Sequence, residues 1–192
     1  MPSLPTTTFS TNTIRVIPGG DGAAAATTTR AAALALARDH VAVVQLNPLL
    51  ARYERLSSGP AGVGSASEGG DGGGGDDYDG LTRETYLITE TMSYVPGTHL
   101  LDRELSFELD VVDTAAGLRT VARAPMGFVS EQEWVVREAG EGGRCVVEER
   151  VTATCPWGLR WFVEGTMRKS HETILGRFVE KVAAEVKQKG RE

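Results

Sequence analysis

One stretch at the C-terminal end, Trp157 to Lys189, constrains the fold more than any other. At a helical step of about 100° per residue, Val163, Met167, Ile174, Leu175, Phe178, Val182 and Val186 fall on one broad stripe. Lys169, Glu172, Arg177 and Glu180 fall on the other side. An amphipathic helix roughly 45 Å long at 1.5 Å per residue cannot bury such a stripe against itself, so the rest of the chain must supply a wide apolar surface. Glu164 and His171 interrupt the stripe near its middle, two turns apart on one face. A buried polar group needs a partner or a wet cavity, so these two positions mark where a pocket would carry chemistry.

The apolar surface is legible upstream, where the period becomes 2 and stays so for most of seventy residues, the mark of antiparallel strands. Leu81 to Val95 places Tyr86, Ile88, Glu90, Met92 and Tyr94 on one face, and Pro96-Gly97 turns the chain. Glu104 to Asp113 places Leu105, Phe107, Leu109 and Val111 on one face. Leu118 to Ala124 is the next strand, and Pro125-Met126-Gly127 predicts a bend or bulge. Phe128 to Arg137 continues the sheet, Gly140 to Gly143 predicts a loose hairpin loop, and Arg144 to Cys155 is the last strand. The inner face of that strand holds Cys145, Val147, Glu149, Val151 and Ala153.

The N-terminal part is simpler. Thr7 to Ile17 reads as a first strand closed by Pro18-Gly19-Gly20. Ala23 to Ala37 is built from strong helix formers, with Asp21 placed as an N-cap. A second short helix is predicted over Asp39 to Leu46 and is stopped by Asn47-Pro48. Leu49 to Ser57 reads as a strand in which Leu50, Arg52 and Glu54 alternate against Ala51, Tyr53 and Arg55. From Gly59 to Gly80 there are ten glycines and almost nothing to bury, which predicts a disordered insertion in a hairpin loop. Its acidic run at Asp76, Asp77 and Asp79 lacks the ligand spacing of a calcium loop. Gly62-Val63-Gly64 lacks the third glycine of a dinucleotide fingerprint.

Strands grouped together, with helices segregated at the ends, predict an α+β fold. The expected architecture is a curled antiparallel sheet of about six or seven strands wrapped around the long C-terminal helix, with two short helices after the first strand. A chain of 192 residues that is 41% hydrophobic suits one domain over residues 1–192. A formal charge of −6 with no basic cluster argues against nucleic acid as a partner. The first ten residues lack a basic region leading into an apolar core. No apolar run approaches the roughly 20 residues of a membrane span, so a soluble, cytoplasmic protein is expected, as a monomer or homodimer. Cys145 and Cys155 lie about 33 Å apart along one strand, too far for a disulfide, and read as ordinary thiols.

This order of elements resembles the START-like, or helix-grip, superfamily across nearly the whole chain. The segment Ala31 to Leu50, with Asp39-His40 and Leu46-Asn47-Pro48, resembles the paired small helices of the polyketide-cyclase/dehydrase branch. The glycine and alanine enrichment is most similar to uncharacterised fungal members. The resemblance implies a hydrophobic small-molecule cavity between the C-terminal helix and the sheet. Some members catalyse cyclisation, dehydration or isomerisation there, and others only carry a ligand. The family has no universal catalytic triad, so no catalytic residue transfers by position.

The candidate catalytic residues are therefore read from the chain itself: His171, Glu164, Glu90 and Glu149. His171 on the apolar stripe is either an acid or base or a neutral core histidine held by hydrogen bonds. Glu164 either flanks a ligand or is a solvent-facing carboxylate of the first turns, favoured by the helix dipole. Glu90 and Glu149 lie among apolar neighbours and are pocket residues if those faces point inward. Tyr86, Met92, Tyr94, Phe107, Met126, Trp134, Trp161, Met167 and Leu175 are the candidates for lining a ligand site. No metal site and no cofactor motif emerge from the three scattered histidines and two cysteines. Two functions stay open: a cofactor-free enzyme acting on a polyketide-like or terpenoid-like intermediate of secondary metabolism, and a carrier of hydrophobic molecules.

Overall fold

A computed structural model describes residues 5–19, 23–60, 81–93, 102–139 and 144–189. The elements are β1 (Thr6–Ile17), α1 (Ala23–Arg38), α2 (His40–Val44), β2 (Leu50–Pro60), β3 (Thr82–Ser93), β4 (Asp102–Thr114), β5 (Gly117–Ala124), β6 (Phe128–Ala139), β7 (Arg144–Pro156) and α3 (Arg160–Lys189). Short 3₁₀ turns at Pro125–Gly127 and Trp157–Leu159 precede β6 and α3. The glycine-rich insertion beyond Pro60, Tyr94, the Pro96-Gly97 turn, the 140–143 loop and the Asp21 cap all lie outside the described residues.

All seven strands form one antiparallel sheet in the order β1-β7-β6-β5-β4-β3-β2. β2 to β7 run as a meander, and α1 and α2 carry the chain from one edge strand to the other. The sheet curls, and the long C-terminal helix lies in its concavity, which is the helix-grip architecture the chain predicts.

Each boundary has a local cause. Asp39 Oδ1 accepts from Ala42 N at 3.0 Å and caps α2, so the helix starts at His40, one residue inside the predicted span. Asn47 Oδ1 accepts from Leu49 N at 2.9 Å, an Asx turn that ends the helical path before Pro48. At the β4–β5 hairpin, a Cβ on Gly117 would stand 2.1 Å from the carbonyl oxygen of Trp134, so only glycine allows that approach. β2 departs from the predicted alternation. Register shifts between Leu50 and Arg52 and between Arg55 and Ser57 put Leu50 and Tyr53 against the same apolar cluster, as a bulge does when it opposes two residues to one.

The core is divided. The main cluster joins Leu175, Phe178 and Val182 of α3 to the small face of α1 (Ala33, Ala37) and to Leu118, Trp134, Val136 and Val147 of the sheet. The rings of Trp134 and Phe178 meet edge to face with centroids 5.0 Å apart. A second cluster gathers Val44, Tyr86, Ile88 and Val111. A third gathers Phe9, Ala153 and Cys155, with Val163 and Met167 of α3 against it. Cys145 and Cys155 are free and buried, and burial pushes both thiols up.

Candidate functional site

The space between the three clusters is a cavity of about 300 Å³ under α3. Such a volume is at the lower end for small-molecule sites. Members of every cluster contribute to its wall: Leu118 and Trp134 from the first, Ile88 and Val111 from the second, Cys155 and Met167 from the third. Met126 and Leu159 both line it and are 64% and 40% exposed, which locates its opening between the β5–β6 turn and the start of α3. Met126 holds a left-handed backbone there, φ 65° and ψ 19°, uncommon for a residue other than glycine.

Polar groups enter the apolar wall from three directions. His171 comes from α3 and Glu90 from β3, while Asn47 comes from the stop after α2. The oxygen of Asn47 is occupied by the turn it caps, which leaves its amide to donate to Glu90 Oε1 at 2.5 Å. Burial pushes the Glu90 carboxyl up, a shift only partly opposed by the Asn47 bond and the charge of His171.

Glu149 stands behind this wall, 1% exposed. Its Oε1 accepts from Gln132 Nε2 at 2.6 Å, from Trp134 Nε1 at 2.9 Å and from His171 Nδ1 at 2.8 Å. The β6–β7 register makes this convergence, because Trp134 lies directly opposite Glu149 and Gln132 lies opposite Val151, two residues on. An indole nitrogen is donor-only, and Oε1 is the shared acceptor, so Nδ1 of His171 is the protonated nitrogen. Nε2 has no partner among the described residues and is the nitrogen left to face the cavity.

Of the candidate residues, His171, Glu90, Met92, Phe107, Met126, Trp134 and Met167 line the cavity. Glu149 touches it only through its partners. Glu164 is not brought to the wall: it pairs with Arg160 and Arg168, each at 3.4 Å, along the outer side of the helix. Those are i, i+4 contacts, available as soon as the helix forms. Trp161 is 78% exposed. Leu175 belongs to the filled main core. Tyr86 is buried in the second cluster with its hydroxyl donating to Glu84, about four residues, or roughly 13 Å, along β3 from Glu90. Tyr94 lies outside the described residues. Asn47, Gln132 and Ser130 line the cavity without being foreseen; Asn47 was legible only as a helix stop.

A second polar cluster was also missed. His40, buried at the start of α2, meets Glu84 Oε2 through Nδ1 at 3.1 Å and Asp113 Oδ1 through Nε2 at 2.9 Å. Arg55 Nη1 donates to Glu84 Oε1 at 3.1 Å, and Thr82 N donates to Asp113 Oδ2 at 3.1 Å. Among the described residues, no group of three or more His, Cys, Asp or Glu is placed to hold a metal ion. No helix among them is long and apolar enough to cross a membrane.

A family profile described as a domain of unknown function, DUF7053, matches residues 6–184. No curated protein matches the chain. Among solved structures, the protein TTHA0849 from Thermus thermophilus is similar at 20% identity over 92% of this chain and 99% of that one, with a TM-score of 0.51. That likeness is one of fold. Two weaker likenesses are Ara h 8.0201, at 12% identity over 92% and 99% with a TM-score of 0.47, and norcoclaurine synthase from Thalictrum flavum. The latter is 13% identical over 95% and 96%, with a TM-score of 0.41.

Proposed function

We propose that this chain, which belongs to the DUF7053 family, takes an apolar small molecule into the cavity under α3 and moves protons on it without a cofactor. The observation that carries this reading is the 2.8 Å hydrogen bond between His171 Nδ1 and the buried Oε1 of Glu149. With Nδ1 committed as a donor to Glu149, Nε2 is the ring nitrogen left to exchange a proton with a ligand. A lone pair held in one orientation at a cavity wall is a general base. Glu90, which lines the same cavity and whose carboxyl burial pushes up, is the second group placed to exchange a proton with the ligand.

Taking a proton from one carbon and giving one to another carbon or to a departing oxygen is the chemistry of isomerisation, dehydration and cyclisation. The apolar wall supplies the other requirement, which is to hold a polyketide-like or terpenoid-like skeleton near its reactive shape. The resemblance of Ala31 to Leu50 to the polyketide-cyclase/dehydrase branch supports the same chemistry. A second reading, carriage without reaction, is favoured by the mainly apolar wall, with His171 and Glu90 only satisfying the polar groups of the ligand.

Proton exchange separates the two. With 2-tetralone in heavy water, the protein is expected to accelerate α-proton exchange, followed by NMR, well above the buffer rate. Glu90→Gln is expected to lower that acceleration by roughly 10²-fold or more. Saturable binding of 2-tetralone with exchange at the buffer rate would leave carriage alone.

A further inference from the structure

The polar groups of the cavity also define which ligand head groups it admits, given the ligand-site reading above. The chain has 20 lysines and arginines, and none lines the cavity among the described residues. Three arginines on the first half of α3 and near its middle are engaged elsewhere. Arg160 and Arg168 pair with Glu164, and Arg177 Nη1 donates to the carbonyl oxygen of Leu46 at 2.9 Å. The sequence outside the described residues holds Arg191 as its one arginine and no lysine, against carboxylates at Asp21, Glu68, Asp71, Asp76, Asp77, Asp79, Glu141 and Glu192.

The neutral donors of the wall are already directed toward its carboxyls. The Asn47 amide gives one N–H to Glu90, the Gln132 amide gives one to Glu149, and the Trp134 indole gives Glu149 its single N–H. What is left for a ligand is therefore a carboxyl at Glu90, a second carboxyl one layer back at Glu149, the His171 ring, one N–H each of Asn47 and Gln132 and a few hydroxyls such as Ser130, with no lysine or arginine among them. Glu90 forms no ion pair among the described residues. An anion taken out of water needs a cation or several donors to offset its lost hydration, and here it would meet carboxyl groups instead.

We propose that the cavity selects uncharged or basic apolar molecules, whose O–H or N–H donates to Glu90, and rejects those that bring a carboxylate, phosphate or sulfate inside. Free fatty acids and phosphorylated isoprenoids are thereby excluded as buried ligands, while alcohols, ketones and amines on an apolar skeleton are admitted.

Three probes that share one ring system test this at pH 8: 2-naphthalenemethanol, 2-naphthylmethylamine and 2-naphthoate. All are compact, and they differ only in the head group and its charge. In calorimetric titrations the alcohol and the amine are expected to bind, and the naphthoate to bind about tenfold more weakly than the alcohol or worse. Glu90→Gln is expected to reduce the amine-over-alcohol affinity ratio by about tenfold. Naphthoate binding as tightly as the alcohol would overturn the proposal. So would an amine-over-alcohol ratio unchanged in Glu90→Gln, since Glu90 would not then be the acceptor. If none of the three binds, the ligand-site reading itself falls and takes this inference with it.

Discussion

His40 and His171 both press against buried carboxylates, and of the two only His171 lines the cavity under α3. At His40 both ring nitrogens are occupied, one by Glu84 and one by Asp113. With both nitrogens held, the ring is a cross-link that ties the start of α2 to β3 and β4. At His171 one nitrogen is occupied by Glu149, and the other lies on the cavity side. What separates a structural histidine from a candidate base here is the number of ring positions the protein leaves open, since burial and carboxylate contact are common to both. The carboxyls follow the same division. Glu84 is held below its ordinary range: burial would raise it, but bonds from Tyr86 and Arg55 and the charge of His40 outweigh that. Glu90 is pushed up by burial, which the Asn47 amide and the His171 charge only partly offset.

The largest expected effect breaks the comparison at the cavity. His171→Phe should lower 2-tetralone exchange by roughly 10²- to 10⁴-fold while the protein stays folded. A variant that keeps wild-type exchange would remove His171 from the mechanism. His40→Ala should do the reverse. Removing one partner of a buried charged cluster costs about 3 to 5 kcal/mol, read as a lower urea midpoint, while exchange per folded molecule stays near that of the wild type. Equal urea midpoints for His40→Ala and wild type would show that the cluster holds nothing in place.

A smaller effect concerns pH, and its sign differs between the two regions. The folded-state value of Glu84 is depressed, so its stabilisation is present above the unfolded value, about 4.3, and is lost as pH falls through the folded one. The urea midpoints of wild type and Glu84→Gln, apart at pH 7, are expected to converge on acidification. The folded-state value of Glu90 is raised, so the stability tied to its protonated form is present below the unfolded value and is lost as pH rises through the folded one. Glu90→Gln should therefore gain on the wild type as pH rises from the unfolded value, about 4.3, through the higher folded one. Matching slopes for the two variants would contradict the opposite environments assigned to them.

The smallest expected effect is at Glu164. Its two surface pairs with Arg160 and Arg168 are worth about 0.3 to 0.5 kcal/mol each, so Glu164→Gln should shift stability by under about 1 kcal/mol and leave exchange unchanged. A hundredfold loss of exchange in this variant would restore it to the cavity.

Much of the architecture was legible because it depends on local periodicity. A period of 2 identifies which residues of a strand share a face, and Glu90 and Glu149 do point inward with their apolar neighbours. The helical stripe correctly placed Leu175, Phe178 and Val182 in the core. Periodicity says nothing, however, about which part of a face borders a gap. Tyr86 shares a face with Glu90 and is walled into a different cluster. Glu164 shares a stripe with His171, but Arg160 and Arg168 stand four residues either side of it. That spacing was visible in the sequence and competed with the cavity for the same side chain.

The sequence by itself determined the direction of each side chain relative to its own element, and with it the inward carboxyls, the one interrupting histidine and the helix that must lie across the sheet. Only the tertiary structure decided the distances. Asn47 reaches Glu90 at a sequence separation of 43, and His171 reaches Glu149 at a separation of 22. Such contacts depend on strand register, on the bulges of β2 and on where α3 crosses the sheet. Those are set by how all the side chains pack at once, and a shift of a single residue in register turns a strand's inner face outward.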